Sequence, residues 1–322
     1  KSIYQDHINW QINRTKTFDF KSVLNLTKIL NSLEEESVVH SFTLRTGILY
    51  SIANFFVNKN INGVLSINGL GYLFSNNMKA KFLKFILRTF IKRIFNKSFK
   101  EIIFQNVSDK EIFLKFSSYS GRTSLIEGSG IEIDNYAKKE SYQKEKLKVI
   151  FVSRLLKDKG VKEYIELSKN ITKPNIDFYL AGEIDTGNPN SISANDLENI
   201  KNNGNIKYIG SINVEEELFN YDISIIMSKY EGFSRILLES LYVGLFCISN
   251  KIPGTQWLEE FNNGFLVENN NLNDISEIIN NFNEYEFSKA NAENNREIIK
   301  KKYATKIISN QYNDIYNNLA SR

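Results

Sequence analysis

The sequence predicts an α/β protein of two domains with mostly parallel sheets. Three observations predict it. Short apolar runs alternate with helix-period patterns along the chain, the mark of strand–helix–strand units. The length, 322 residues, suits two domains of ordinary size. A charged stretch without apolar periodicity, Lys138-Lys-Glu-Ser-Tyr-Gln-Lys-Glu-Lys146, interrupts the pattern and reads as a linker. The expected domains are residues 1–140 and 147–302, with a helical end to the chain.

Taken in order, apolar runs in the first half place strands at Ile8–Ile12, Ser37–His40, Gly63–Ile67, Glu101–Gln105 and Thr123–Ile126. Helix-period patterns lie between them at Lys21–Asn31, Arg45–Phe56, Met78–Phe95 and Asp109–Phe116. In the second half the strands fall at Lys148–Val152, Asp177–Leu180, Lys207–Ile209, Ile223–Met227, Phe246–Ile248 and Phe265–Val267, with helices between. The chain is helical from Leu272 onward, and Tyr303–Leu319 is amphipathic through Ile307, Ile308, Tyr312 and Ile315.

Composition narrows the function. The apolar fraction, 42%, lets each domain bury a core. A net charge of +4 is too small to argue for nucleic acid, and no nucleic-acid-binding fold accompanies it. Cys247 lies in an apolar strand and reads as a core thiol with no partner for a disulfide, which fits a reducing cytoplasm. With two His and one Cys, a His/Cys metal site is not expected. No run reaches the ~18–20 apolar residues needed to span a bilayer. Lys1-Ser-Ile-Tyr-Gln-Asp-His7 has no signal-peptide core. The abundance of Asn, Lys and Ile reads as codon bias.

The most informative stretch is Glu231-Gly-Phe-Ser-Arg-Ile-Leu-Leu-Glu239. It follows an apolar strand and opens a helix over Ile236–Val243, so unpaired N–H groups and a partial positive charge sit at a strand-to-helix turn. Glu231 lies in the loop, and Glu239 is about two turns into the helix. Two carboxylates bracketing an anion site fit a nucleotide-sugar, with sugar hydroxyls at one end, a diphosphate between, and ribose hydroxyls at the other. A second strand, Lys148-Val-Ile-Phe-Val-Ser153, runs into Arg154-Leu-Leu-Lys-Asp-Lys159-Gly160. Arg154 can grip phosphate in a bidentate way, and Lys159 supplies a point charge.

These segments resemble the Glu-x7-Glu and Gly/Ser-Arg-Leu-x-x-x-Lys-Gly motifs of retaining glycosyltransferases of family 4, which have the GT-B fold. Phe178–Gly182, Ile206–Gly210, Gly254 and Asn263–Val267 resemble further parts of the donor domain. His40-Ser-Phe-Thr43, Asn68-Gly-Leu-Gly-Tyr72, Phe104-Gln-Asn106 and Glu127-Gly-Ser-Gly130 resemble enzymes that build bacterial lipid-linked glycans, capsules and O-antigens. The resemblance implies two Rossmann-like domains facing a cleft, with a C-terminal helix, 303–322, packing back on the first. It assigns Glu231 to the donor sugar hydroxyls, Glu239 to the ribose, and Arg154 and Lys159 to the diphosphate. Gly232, Phe233, Ser234, Arg235, Ile236 and Leu237 lie along the donor, their backbone contacting sugar and diphosphate. No cofactor or metal is expected, because the cations do that work. One departure stands out. Proteins of this fold open with a strand and a Gly-containing turn, and nothing comparable precedes Ile8. An N-terminally incomplete first domain is therefore expected.

Two regions of the first half carry candidate contacts. Lys79, Lys81, Lys84, Arg88, Lys92, Arg93, Lys97 and Lys100 alternate with Phe82, Phe85, Phe90, Phe95 and Phe99 without an acidic residue. A basic aromatic helix over 79–100 suits an anionic membrane surface, or covers its own sheet with lysines outward. His40 ends a strand at the edge where α/β ligands bind, and is either an acceptor contact or a structural histidine. Asn68, Gly69, Leu70 and Gly71 follow another strand, the glycines allowing close backbone approach. Asn68 cannot serve as a general base.

The expected function is hexosyl or N-acetylhexosaminyl transfer from a nucleotide-sugar, UDP-linked by expectation, to a lipid-linked saccharide on the cytoplasmic face of the membrane. Two alternatives stay open: another GT-B enzyme, such as a nucleotide-sugar epimerase or a phosphorylase, and a non-catalytic membrane-associated partner in glycan assembly.

Overall fold

The computed structural model describes residues 20–70, 91–139, 146–171, 173–202, 205–282 and 289–321. They form two compact units, one drawn from the chain up to Ile126 together with the residues from Asn310 onward, the other Glu127–Ser309. The expected strand Ile8–Ile12, residues 79–90 of the basic aromatic segment and positions 140–145 of the linker lie outside the described residues.

The first unit contains α1 (Phe20–Ser32), β1 (Val38–Phe42), α2 (Leu44–Phe55), β2 (Asn62–Ile67), a helix over 91–98 (α3), β3 (Phe99–Phe104), α4 (Val107–Ser117) and β4 (Arg122–Leu125). Its strands pair in chain order, β1-β2-β3-β4, all parallel. β2 is buried at every position, as a central parallel strand covered on both faces requires. α1 turns Val23, Leu26 and Leu30 inward at helical spacing, where they join Leu49, Leu65, Phe95 and Phe113 in one core. In α3, Ile91 and Phe95 are fully buried while Lys92, Arg93 and Lys97 are exposed. This last stretch of the basic aromatic segment therefore covers its own sheet and carries its cations outward.

The second unit contains β5 (Leu147–Val152), α5 (Val161–Asn170), β6 (Ile176–Ala181), α6 (Ala194–Asn202), β7 (Ile206–Gly210), α7 (Val214–Glu217), β8 (Ile223–Ile226), α8 (Arg235–Val243), β9 (Phe246–Asn250), β10 (Gly264–Val267), α9 (Leu272–Asn280) and α10 (Lys289–Tyr303). The sheet order is β10-β9-β8-β5-β6-β7, again all parallel. Alternation along β5 divides the core into two layers. Val149 and Phe151 face one, Ile150 the other. Burying each such side chain stabilises the fold by about 1.5–3 kcal/mol. Cys247 is fully buried in β9, as expected of a core thiol.

Two local expectations change. Tyr303–Leu319 is not one helix. α10 ends at Tyr303 and α11 (Thr305–Ala320) begins two residues on. Between them Ala304 forms a parallel bridge with Ile131, whose N–H donates to Tyr303 O and whose carbonyl accepts from Thr305 N, both at 3.0 Å. Those backbone groups are lost to a continuous helix. Lys139, read within a solvated linker, is buried in the second unit. Its Nζ donates to Asp222 Oδ1 at 2.7 Å and to Tyr221 O at 2.8 Å, which satisfies a charge that burial would otherwise penalise. Residues 127–139 thus belong with Glu127–Ser309.

The residues of α11 from Asn310 onward complete the first unit. Leu319 is buried and its carbonyl accepts from Asn62 Nδ2. His40 pairs through Nδ1 with the Tyr316 hydroxyl and through Nε2 with Ser66 Oγ, and it stacks on Phe42. Burial lowers its pKa from 6.5 to about 4. The folded protein thus binds a proton at this site less readily than the unfolded chain. The resulting stability is complete above about pH 6.5 and is lost as pH falls toward 4, by up to about 3 kcal/mol. Melting temperatures of the wild type and His40→Gln, taken from pH 7 to pH 4, should converge as pH falls; a constant gap would show that His40 does not titrate in this environment.

Candidate active site

The second sheet has one place where its connections diverge. β5 lies between β8 and β6, and the chain winds from β5 through β6 to β7 on one side, but from β8 through β9 to β10 on the other. Loops leaving the carboxyl ends of β5 and β8 therefore part from each other, and an open α/β sheet binds ligands at this switch point. Both sequence motifs fall there. Arg154 follows β5, and Glu231 follows β8.

The loop after β5 is a tight turn. Lys157–Lys159 form one turn of 3₁₀ helix, and Gly160, at φ 86°, reverses the chain into α5. A Cβ at Gly160 would lie 2.4 Å from Met227 O, so only glycine lets this turn close on the end of β8. Lys229 N donates to Asp158 O at 2.8 Å and joins the two loops again. The joining has an electrostatic result. Lys159 Nζ sits 2.6 Å from Glu231 Oε1, which also accepts from Ser228 Oγ at 2.7 Å. Both side chains of the ion pair are about four-fifths buried, at 20% and 17% exposure. Arg154 is held more loosely. It is 64% exposed and pairs with Asp185, in the loop after β6, at 2.9 Å.

α8 begins at Arg235, with Ser234 as its N-cap residue. The Ser234 side chain makes no capping bond, and its buried Oγ has no partner among the described residues. The first N–H groups of α8 are thus left without a side-chain cap, at the end that favours anions. Glu239, at the middle of α8, is buried, and its Oε1 accepts from Arg235 Nε and from the Tyr136 hydroxyl, both at 2.7 Å. Between the carboxylates, Gly232 and Leu237 are buried, while Ile236 is half-buried and Arg235 exposed. Phe233 stacks on Trp257 with centroids 4.7 Å apart. The side chains of Leu237 and Phe233 therefore build the core.

In the first unit, both ring nitrogens of His40 are engaged, with Tyr316 and Ser66. Asn68 is exposed, Gly69 has φ 125°, and Leu70 is buried with its N–H donating to Asp109 Oδ2 at 3.3 Å. Asn106 caps α4 by accepting from Asp109 N at 2.7 Å, and its amide donates to the same Asp109 oxygen that holds Leu70. Thr43, at the end of the His40 motif, takes φ 83°, a conformation β-branched residues rarely adopt. Gly71 lies outside the described residues.

Residues 132–304, more than half of the chain, match the family described as glycosyl transferases group 1. The chain belongs to this family. The matched span contains every motif residue from Arg154 to Glu239. Among curated relatives of this glycosyl transferase, the capsular polysaccharide biosynthesis glycosyltransferase CapM of Staphylococcus aureus is 24% identical over 315 residues, 93% of this chain and 81% of that protein. The UDP-Gal:α-D-GlcNAc-diphosphoundecaprenol α-1,3-galactosyltransferase of Escherichia coli is 26% identical over 279 residues, 81% of this chain and 69% of that protein. Among solved structures, Anabaena HepE in complex with UDP-glucose superimposes with a TM-score of 0.75 at 18% identity, covering 92% of this chain and 82% of that one. Two all-parallel α/β units and this likeness identify the fold as GT-B.

Sequence reasoning missed three residues of the site. Ser228 and Asp185 are close to recognised motifs, and a hydroxyl or carboxylate near a phosphate motif is a usable signal. Tyr136 has none, since it lies 103 positions from its partner. Gly254, recognised from sequence, proves to be a spacer. A Cβ there would lie 2.3 Å from Glu231 O, and its own carbonyl accepts from Ser234 N at 3.1 Å. Gly254→Ala should therefore displace the Glu231 loop and cost about 1–3 kcal/mol, as overpacking does; urea unfolding that shows no loss would mean the loop yields freely.

Proposed function

We propose that this family member is a retaining glycosyltransferase of family 4 that transfers a hexose or N-acetylhexosamine from a UDP-linked donor to a lipid-linked saccharide, in assembly of a bacterial surface polysaccharide. The observation that carries the reading is the pair of carboxylates, Glu231 and Glu239, bracketing an uncapped helix start at the switch point, with Lys159 and Arg154 beside it. In this reading Glu231 receives the sugar hydroxyls and Glu239 the ribose. Arg154, Lys159 and the N–H groups from Ser234 to Ile236 stabilise the charge that grows on the departing diphosphate. Such preorganised electrostatic stabilisation is usually the largest single contribution to catalysis. These cations act in place of a metal. The UDP donor is supported by the HepE complex, and the lipid-linked acceptor by the galactosyltransferase of Escherichia coli, whose acceptor is a diphosphoundecaprenol glycan.

An acceptor anchored in lipid calls for attachment at the membrane surface. No helix among the described residues is long and apolar enough to cross a membrane. The proposed attachment is peripheral, on the cytoplasmic face, through the cations of residues 79–100. Those seen in α3 are exposed, and each is worth about 1 kcal/mol near an anionic surface.

Arg154→Ala and Lys159→Ala should each lower kcat by about 10²–10³-fold, the effect of removing one charge-stabilising group. Nucleotide release with lipid-linked acceptors measures this, and two variants with wild-type turnover would refute the assignment. Calorimetry with UDP separates the carboxylates. Glu239→Ala should weaken binding, whereas Glu231→Gln should leave it close to wild type and reduce turnover. Flotation with anionic vesicles tests the membrane reading. The wild type should float at low salt and dissociate as salt rises, since exposed charges are screened within ~8–10 Å at physiological ionic strength; protein that stays soluble at low salt would leave the acceptor class without its physical support.

A further inference from the structure

Glu239 is held by two donors of different character. Arg235 is 55% exposed, on a long side chain that reaches Glu239 from the solvent side. Tyr136 is buried, and its ring packs edge-on against Tyr242, in the last turn of α8, with centroids 5.9 Å apart. The backbone on either side of it is fixed as well. Asn135 N donates to Glu132 O, Ala137 N to Glu215 O at 2.9 Å, and Lys139 N to Val243 O at 3.0 Å. The phenol is thus delivered to Glu239 by a segment whose place does not depend on Glu239. Both hydrogen bonds end on Oε1, and among the described residues Oε2 has no protein partner. Two donors on one oxygen limit the movement of the carboxylate, and the other oxygen is left to accept from a ligand hydroxyl. Burial first, then the hydrogen bond and the negative charge of Glu239, push the Tyr136 phenol up, so it remains a donor throughout the neutral range.

We propose that Tyr136 is a positioning residue for the nucleotide: it fixes Oε1 of Glu239 so that Oε2 is presented to the vicinal hydroxyls of the ribose. This rests on the ribose assignment of Glu239 made above. A phenylalanine at 136 would keep the ring packing and remove only the hydroxyl, leaving the orientation of the carboxylate to the exposed Arg235. Ribose recognition would weaken while the fold and the chemical step persist.

The test is the ratio of affinities for UDP and 2′-deoxy-UDP, measured by calorimetry. The wild type should favour UDP by about tenfold or more, the effect of one hydrogen bond to a charged group. Glu239→Ala should abolish that preference. Tyr136→Phe should reduce it to about two- to threefold, raise KM for the donor, and leave kcat at saturating donor and the melting temperature near wild type. Arg235→Met should reduce it less than Tyr136→Phe does. If Tyr136→Phe keeps the full preference while Glu239→Ala loses it, the proposal fails and the ribose assignment stands. If Glu239→Ala keeps the preference, both fail. A preference in Arg235→Met as low as in Glu239→Ala also overturns the proposal, because the guanidinium is then the holder, and this arm can be read even if Tyr136→Phe folds poorly.

Discussion

The site depends on the pairing of β5 with β8. Their register, Val149 with Ile223 and Ile150 with Ser224, brings together two strands that are far apart in sequence and sends their following loops in different directions. Each later feature needs that adjacency. Gly160 can close on Met227 O only because β8 ends there, and Lys229 can bond Asp158 only because the two loops leave side by side. The meeting of Lys159 and Glu231, 72 positions apart, follows from the same placement. A parallel pair also buries both faces of its strands, which is why β8 is apolar or small throughout and β5 nearly so.

The charges are graded in a way that suits exchange. The Arg154–Asp185 pair is exposed, and such pairs are worth about 0–1 kcal/mol. A ligand phosphate, with more charge and several oxygens, can take the guanidinium from Asp185 at little cost. Lys159–Glu231 is more enclosed, and Ser228 adds a second hydrogen bond to the same carboxylate oxygen. The two carboxylates share one design. Each has a single oxygen held by one cation and one hydroxyl, Lys159 with Ser228 and Arg235 with Tyr136. Hydroxyl donors fix the angle of a carboxylate without adding charge, so the acidic character of the site is kept while its geometry is set.

What was legible in the sequence follows from what is local. Buried parallel strands are continuous apolar runs, so Ile223–Met227 and Lys148–Val152 stood out, and the turns after them carried the glycines and cations of the candidate site. Strand ends shifted by a residue or two where polar side chains continue the ladder, as at Ser249 and Asn250 of β9. What was not legible is made by distant partners. The burial of Lys139 requires Asp222, the end of α10 requires Ile131, and the anchoring of Glu239 requires Tyr136. None of these pairs leaves a trace in periodicity or composition, because a lysine, an alanine and a tyrosine look the same before and after finding their partners.

The two units differ in how their motif residues are used. In the second, Arg154, Lys159, Glu231 and Glu239 all lie at or beside one switch point, with ionic partners that a ligand can replace or share. In the first, the described strands follow chain order and contain no switch point. Its recognised polar residues are engaged in the fold itself, His40 with α11 and Asn106 with α4. Asp109 ties Leu70 to Asn106, which leaves exposed Asn68 and the backbone of Gly69 as the parts of that motif free of core packing. A rigid scaffold that holds a loop by its far end is how α/β proteins vary what they bind without changing their core. The candidate donor residues are therefore side chains at fixed places on the second sheet. In the first unit, by contrast, what is left exposed near the recognised residues is loop, as at Asn68, above a strand that is buried at every position.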